Sequence, residues 1–194
     1  MNRTTTDQIK STAVFSDIAR EALSEQTPSA FLDELRHQYA NLIIQLDRIR
    51  PSLIRTDLHR RPEGEDWSIT EIFGHMIDTD NEIWWPRIEA ILVEHYPYFT
   101  DIDPMALVRK HNWQALPLDD VLSQLMRIRW NHAMRLNTLP AEVFDRPGYH
   151  PAYGELTLLR VVQLMVAHDT HYLMKVRALL ELADDGSNEW PDNE

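Results

Sequence analysis

The chain has 194 residues, of which 43% are hydrophobic, and this length and composition suit a single domain with one core. It contains no cysteine, which excludes disulfides, thiolate metal sites and a cysteine nucleophile, so metal binding or catalysis must use His, Asp, Glu, Lys or Tyr. The net charge of -12 repels phosphate backbones and argues against nucleic-acid binding.

Neither end of the chain has a strong structural pattern. Residues 1–27 are polar and lack the apolar run of a secretory signal, and residues 184–194 are acidic. No stretch approaches the roughly 20 apolar residues of a membrane span. We therefore expect a cytoplasmic protein that does not bind membranes. Its one domain would cover residues 28–183, between a weakly structured extension and an acidic tail.

Four amphipathic helices are predicted within this domain. The first begins at Thr27–Pro28, a capping residue followed by proline at the first helical position, and Pro51 ends it. The second begins at the capping box Ser68–Glu71. The third covers about 119–136 and the fourth about 157–182, and β-type alternation is not sustained anywhere. Four helices of similar length predict an all-α four-helix bundle.

Two irregular segments are expected around the second helix. Residues 95–117 are too many for a tight turn, so they predict a long crossover link between helices two and three, with a short helix at about 105–110. Within the second helix, Pro86 cannot donate a hydrogen bond to the Glu82 carbonyl. We therefore expect the helix to bend at that point.

Histidines on the second and fourth helices are the candidate functional residues. His75 shares its helix face with Asp78, and His168 shares its face with His171 and Tyr172. Two imidazoles on facing helices, with a third donor, can hold a divalent metal ion that keeps an open coordination position. The alternative for each histidine is a hydrogen-bonded core or boundary residue, the more frequent role of a single histidine on an apolar face.

Two adjacent tryptophans follow on the second helix. In a regular α-helix Trp84 and Trp85 lie about 180° and 80° from the His75 face, so they cannot both enter the same pocket. One is expected in the core and the other at the surface, where it favours a homodimer. Asp169 is expected to be solvated or to pair helices. The other histidines lack mutual ligand spacing: His37, His59, His95, His111, His132 and His150.

Several short motifs together give the chain a family resemblance. They are Trp67-Ser-Ile, Gly74-His-Met-Ile-Asp78, Trp85-Pro-Arg87, the turn His150-Pro-Ala-Tyr-Gly-Glu155, and Ala167-His-Asp169. On these motifs the chain resembles the DinB-like family of bacterial four-helix bundles over residues 30–182. The resemblance implies a metal-dependent enzyme, a hydrolase or a thiol-dependent transferase, that acts on an unknown small molecule.

The resemblance also implies where a metal ion would be held. Members of the family bind a divalent metal with three histidines, one on the second helix and two spaced i and i+4 on the last. His75 and His168 match the first two positions, whereas Tyr172 stands at the third and His171 precedes it. Lys175 replaces a glutamine that is common in this region and places a cation on the same helix face.

Helix geometry leaves the third donor open. His171 lies about 60° to one side of His168, and Tyr172 about 40° to the other. Neutral imidazole binds zinc or nickel without losing a proton, whereas the phenol must be deprotonated first. A weaker site would use two histidines with waters, Asp78 or Glu82. In a further alternative the residues form a hydrogen-bonded network without metal.

Two functions follow from these alternatives. With a metal, the chain would be an enzyme whose partner is a small-molecule substrate or a thiol, and Asp78 would orient a ligand or accept a proton. Arg87 and Lys175 would then bind an anionic substrate group, or else pair with surface carboxylates. Without a metal, the chain would be a non-catalytic stress-response or small-ligand-binding bundle with a degenerate metal site. The substitution at Tyr172 separates the two and favours the second more than in most relatives.

Overall fold

A computed structural model describes residues 37, 41, 44, 48, 58–59, 61, 67–102, 106–107 and 110–184. Its main elements in chain order are α1 (Ile69–Thr79), a π-helix (Asp80–Trp84), α2 (Trp85–Val93), α3 (Leu118–Asn137), β1 (Pro147–His150), β2 (Gly154–Thr157) and α4 (Leu158–Asp184). Short 3-10 helices occur at Trp113–Ala115 and Ala141–Asp145. Of the helices in these ranges, none combines the length and the apolarity needed to cross a membrane.

The second predicted helix begins directly after Ser68, at the capping box that the sequence predicts. The Ser68 hydroxyl accepts a hydrogen bond from the Glu71 backbone N–H at 3.2 Å, and the Glu71 carboxylate accepts one from the Ser68 N–H at 2.9 Å. These two bonds satisfy N–H groups that a helix start leaves without partners. Arg61 donates two further hydrogen bonds to the same carboxylate, at 2.9 and 2.5 Å.

A π-helix lies in the turn before Pro86, the region where the sequence predicts a bend. Proline offers no N–H, and the preceding N–H, that of Trp85, bonds the Asp80 carbonyl five residues back. The wider turn contains one extra residue compared with an α-helix. Side chains at its C-terminal end are therefore rotated by about 100° from their positions in a continuous α-helix.

The other predicted helices agree with the structure where it describes them. The third and fourth predictions match α3 and α4 to within two residues at each end. The first predicted helix, 27–51, lies mostly outside the described residues, and the four that are described are helical and exposed: His37, Asn41, Ile44 and Arg48. In the crossover link, Ala106, Leu107 and Lys110 are helical, as expected for the short helix there.

A two-stranded hairpin corrects the expectation that the chain has no β-structure. Strands β1 and β2 pair antiparallel, with His150 opposite Gly154. Gly154 has a φ of 74°, the left-handed conformation that a glycine adopts readily where a three-residue loop closes a hairpin. Tyr149 of β1 also exchanges backbone hydrogen bonds with the chain after α2, to Pro97 and from Phe99. The hairpin thereby fixes the region just beyond α2.

One hydrophobic core joins the four labelled helices. Its fully buried members include Ile72, Phe73, Ile77, Ile88, Ile91, Val121, Leu122, Leu125, Val161, Met165 and Val176. Each side chain of this size contributes roughly 1.5–3 kcal/mol when it is removed from water. The core includes Trp113 of the crossover link, whose indole lies against Gly74 so closely that a Cβ there would overlap it. The link is therefore packed onto α1.

Candidate metal centre

Two histidine side chains face each other between α1 and α4. Nε2 of His75, on α1, lies 3.2 Å from Nε2 of His168, on α4. Both rings are buried, with 1% and 5% of their surfaces exposed. The fold thus brings together the two histidines that the sequence singles out on separate helices.

Both imidazoles are neutral at ordinary pH because burial disfavours their charged forms. Burial lowers the pKa of His168 to about 3, and the nearby Arg129 guanidinium adds to the effect. Burial also lowers the pKa of His75 well below its usual value, and His168 contributes. A neutral imidazole is the form that binds a transition metal.

Without a metal, the contacts of His168 indicate which ring nitrogens of the two histidines carry hydrogen. Nδ1 of His168 lies 3.4 Å from Oδ1 of Asp169, so a hydrogen on that nitrogen faces a carboxylate. Nε2 of His168 then accepts a hydrogen bond from Nε2 of His75. Nδ1 of His75 is buried and has no hydrogen-bond partner among the described residues. Asp169 therefore orients the pair from the α4 side.

Aromatic rings surround the histidine pair. The Trp67 ring lies 4.7 Å from the His75 ring, centroid to centroid, and stacks on Tyr172 at 5.8 Å. The Tyr172 ring is 4.8 Å from both histidine rings. On the other side, the edge of Trp84 approaches His168 at 5.6 Å. These rings separate the pair from water, which strengthens any electrostatic interaction at the two nitrogen atoms.

The position of Trp84 differs from its predicted position because of the π-helix. A regular α-helix would place Trp84 opposite His75, and Trp85 closer to it. The extra residue in the π-turn reduces the Trp84 angle to about 80° and moves Trp85 to about 180°. In the structure Trp84 contacts His168, whereas Trp85 stacks on His132 with centroids 3.8 Å apart. Both indoles are half-buried, so the expected division into one core and one surface tryptophan is not seen.

The two candidates for the third metal ligand, His171 and Tyr172, differ in whether they must lose a proton to bind. Burial raises the pKa of Tyr172 to about 12, so its phenol keeps its proton. His171 is half-buried, and burial together with Lys175 lowers its pKa, so its ring is neutral as well. The His171 and Tyr172 rings are 5.1 Å apart, almost perpendicular. Of the two, His171 needs no deprotonation to become a ligand.

The histidine pair fits two ligands of a metal ion. Two nitrogens about 2.1 Å from one zinc ion, at an angle of about 100–110°, lie roughly 3.2–3.4 Å apart, close to the observed separation. Ligand histidines usually donate their second N–H to an acceptor, which Asp169 offers to His168. Within the described ranges, however, no group of three His, Cys, Asp or Glu side chains converges as a metal site. The pair thus supplies two of the three expected ligands.

Asp78, the predicted catalytic residue, holds the crossover link. Its carboxylate is buried and accepts hydrogen bonds from Nε1 of Trp113 and from Nδ1 of His111, both at 2.7 Å. Burial raises the pKa of Asp78, and the two donors oppose that rise. No hydrogen bond described in the structure joins it to His75 or His168. Glu82, the other predicted auxiliary ligand, pairs at the surface with Lys110 at 3.3 Å.

A buried ionic network next to the histidine pair was not predicted. Arg129 of α3 bonds Asp80 of the π-helix and contacts both oxygens of Asp169 of α4, at 2.7 and 2.8 Å, and all three side chains are fully buried. His132 adds a contact of 3.1 Å to Asp80. Burial raises the pKa of Asp169, and the guanidinium opposes that rise. Of the two expectations for Asp169, helix pairing is the one observed.

A signal for this network exists in the sequence. The apolar positions of α3 recur at Leu122, Leu125 and Leu136 with spacings of three and four, and the same series passes through Arg129 and His132. A charged residue at an apolar position must be paired when it is buried. The missing partners could have been sought among the acidic residues of the other helices.

Known proteins resemble this chain in sequence and in fold. A family model described as the DinB superfamily matches residues 51–173. Among solved structures, YfiT from Bacillus subtilis, described as a probable metal-dependent hydrolase with an unusual four-helix bundle topology, matches with a TM-score of 0.71 and 19% identity over 82% of this chain and 91% of YfiT. Curated proteins give no significant match. The likeness in structure confirms the predicted four-helix bundle.

Proposed function

Because the chain belongs to the DinB superfamily, we propose that it is a metal-dependent hydrolase or transferase in which His75 and His168 bind the divalent ion. The observation that carries this proposal is the 3.2 Å separation of the two Nε2 atoms, both neutral and both buried. The description of YfiT as a probable metal-dependent hydrolase supports the same function. Zinc and nickel are the preferred ions, since imidazole suits both.

The surrounding residues have separate roles in this proposal. A divalent ion, when bound, polarises a carbonyl group and makes water or a thiol a stronger nucleophile. His171 does not converge with His75 and His168 among the described residues, so a water or a substrate group would complete the coordination. The Trp67, Trp84 and Tyr172 rings would limit the access of other water. Asp78 accepts hydrogen bonds from His111 and Trp113, so its role in this proposal is to hold the crossover link against α1.

A second candidate function is a small-ligand-binding bundle that uses no metal. The protonated Tyr172 at the third ligand position favours it, because its phenol has a pKa of about 12. In this alternative the hydrogen-bonded His75–His168 pair and its aromatic neighbours line a pocket for an uncharged or aromatic ligand.

Metal content distinguishes the two candidates. Untagged protein would be incubated with zinc or nickel, passed through a desalting column and analysed by plasma mass spectrometry. We expect one ion per chain, which His168→Ala loses and His95→Ala, a change at an exposed histidine, retains. Tyr172→His should bind zinc more tightly by about tenfold or more, a gain of at least about 1.4 kcal/mol.

Each result leads to a clear decision. Stoichiometric metal that depends on His168 would justify assays of hydrolysis and of thiol transfer with that ion. If the wild type binds no ion and only Tyr172→His does so, the metal function is wrong for this chain and the metal-free alternative stands. Binding that survives His168→Ala would place the ion elsewhere and contradict the proposed ligands.

A further inference from the structure

Two nitrogen donors lie close together on the far side of Trp84 from the His75–His168 pair. Nη2 of Arg87, on α2, lies 3.0 Å from Nε2 of His150, at the end of β1. His150 is buried, with 1% of its surface exposed, and Arg87 is half-buried. Neither residue has a role in the proposed metal centre.

With its Nδ1 accepting a hydrogen bond, His150 has no second acceptor nitrogen to offer Arg87. Nδ1 of His150 accepts a hydrogen bond from the Ala152 backbone N–H at 3.1 Å, so in the neutral ring the hydrogen lies on Nε2. Burial and the Arg87 charge both lower the pKa of His150, which keeps the ring neutral. The Nε2–H of His150 and an N–H of Arg87 therefore meet as two donors. An acceptor that both can reach would satisfy them.

The Arg87 charge has weak compensation within the protein. Among the described residues no carboxylate lies within 4.0 Å of its guanidinium, and its hydrogen bond to the Thr100 carbonyl is long, at 3.4 Å. Tyr153 and Asp101 are the groups whose charges act on Arg87, and Asp101 is 71% exposed and lies 4.0 Å from Nε2 of His150. The guanidinium also lies over the Trp84 and Phe99 rings, 5.8 Å from each centroid, where water is partly excluded.

Trp84 connects this cluster to the candidate metal centre. Its ring contacts Arg87 and approaches His168 at 5.6 Å, so one indole separates the two. The Nε1–H of Trp84 is buried and has no acceptor among the described residues. Trp84 thus adds a third N–H group to the two donors of Arg87 and His150, and N–H donors of this kind are what an anion site offers.

We propose that Arg87 and His150 form a binding subsite for a small oxyanion, a carboxylate or a phosphate group. Each donor gives one hydrogen bond to the anion, and the arginine supplies the charge. The position across Trp84 from His168 assigns this subsite to the anionic end of the substrate, an assignment that rests on the proposed function. Anion binding itself does not depend on the metal.

Anion binding can be measured on the whole chain after metal is removed with EDTA and the protein is exchanged into a buffer free of EDTA, carboxylates and phosphate. ¹⁵N-labelled protein would be titrated separately with acetate and with inorganic phosphate, and the Ala152 amide and the His150 side chain observed by NMR. We expect saturable shifts with at least one probe, and the probe with the higher affinity identifies the class of oxyanion. Arg87→Gln and His150→Gln should each weaken binding by about tenfold or more, as expected for a lost charge-assisted hydrogen bond.

Two control variants separate this proposal from the metal function. Arg135→Gln removes an arginine that also packs on a tryptophan, Trp85 at 5.3 Å, but that is already paired with Glu89 at 3.0 Å, so anion affinity should not change. His168→Ala should also leave anion affinity unchanged even where it abolishes metal binding. Absence of saturable shifts with both probes, or equal loss in Arg135→Gln and Arg87→Gln, would overturn the subsite.

Discussion

Replacing Arg129 with methionine tests whether the buried ionic network stabilises the bundle. Methionine has a similar length and fills much of the same space, so the change removes mainly the charge and its hydrogen bonds. Asp80 and Asp169 would remain, fully buried, without the guanidinium that contacts both. The fold must then either bury a carboxylate without its cation or protonate it.

The cost of protonation sets the magnitude. An aspartate with a reference pKa near 3.9 that must be neutral at pH 7 costs about 4 kcal/mol, since each unit corresponds to about 1.4 kcal/mol. This value agrees with the loss of about 3–5 kcal/mol for breaking a buried ion pair. In the variant the folded-state pKa of the carboxylates is raised above the unfolded value, so the folded state binds more protons. Stability relative to wild type should therefore improve as pH falls from 7 to 5.

Urea unfolding followed by circular dichroism at pH 7 and pH 5 would measure the effect. Arg135→Met is the matched control, because this exposed arginine on the same helix makes only a surface ion pair with Glu89 and a contact with the Trp85 ring, and its loss should cost about 1 kcal/mol or less. The triple change Asp80→Asn, Arg129→Met and Asp169→Asn should be more stable than Arg129→Met alone. A loss below about 1 kcal/mol in Arg129→Met, or a triple variant no better than the single one, would refute the reasoning.

Three further predictions concern other parts of the structure. Gly74→Ala should destabilise the fold by about 2 kcal/mol, although alanine favours helix by about 1 kcal/mol, because its Cβ overlaps Trp113; unchanged urea stability would contradict this. Trp113→Phe should cost about 1–3 kcal/mol by removing a donor to Asp78, and less in an Asp78→Asn background if the two residues are coupled. In EDTA, the free energy of unfolding of the wild type should fall as pH decreases from about 6.5 towards 3. Folded His168, with a pKa of about 3, stays neutral over this range, whereas the same residue in the unfolded chain binds a proton. His168→Gln should reduce that slope, and parallel curves for the two proteins would argue against it.

Features set by neighbouring residues could be predicted from the sequence. The capping box at Ser68 and Glu71 depends on residues three apart, and the structure contains both of its hydrogen bonds. Apolar periodicity placed α3 and α4 because both helices bury a continuous face. His75 and His168 could be singled out as well, since each lies on the inward face of an amphipathic helix.

Features that depend on tertiary packing could not be predicted in the same way. The π-helix at Asp80–Trp84 depends on which side chains the bundle accepts, and it reversed the roles of Trp84 and Trp85. Arg129 and Asp80 are 49 residues apart, so their pairing is invisible to a local pattern. The short hairpin was missed because two strands of four residues show little alternation.

The π-turn makes this segment sensitive to length rather than to residue type. Deleting one residue between Asp80 and Trp84 would give a regular α-helix with better local hydrogen bonding. It would also change the rotational phase between the two halves of the helix by about 100°. Either the Trp84 contact with His168 or the Asp80 contact with Arg129 would then be lost. A one-residue deletion here should therefore be more harmful than most single substitutions, although each half of the helix would keep its own sequence.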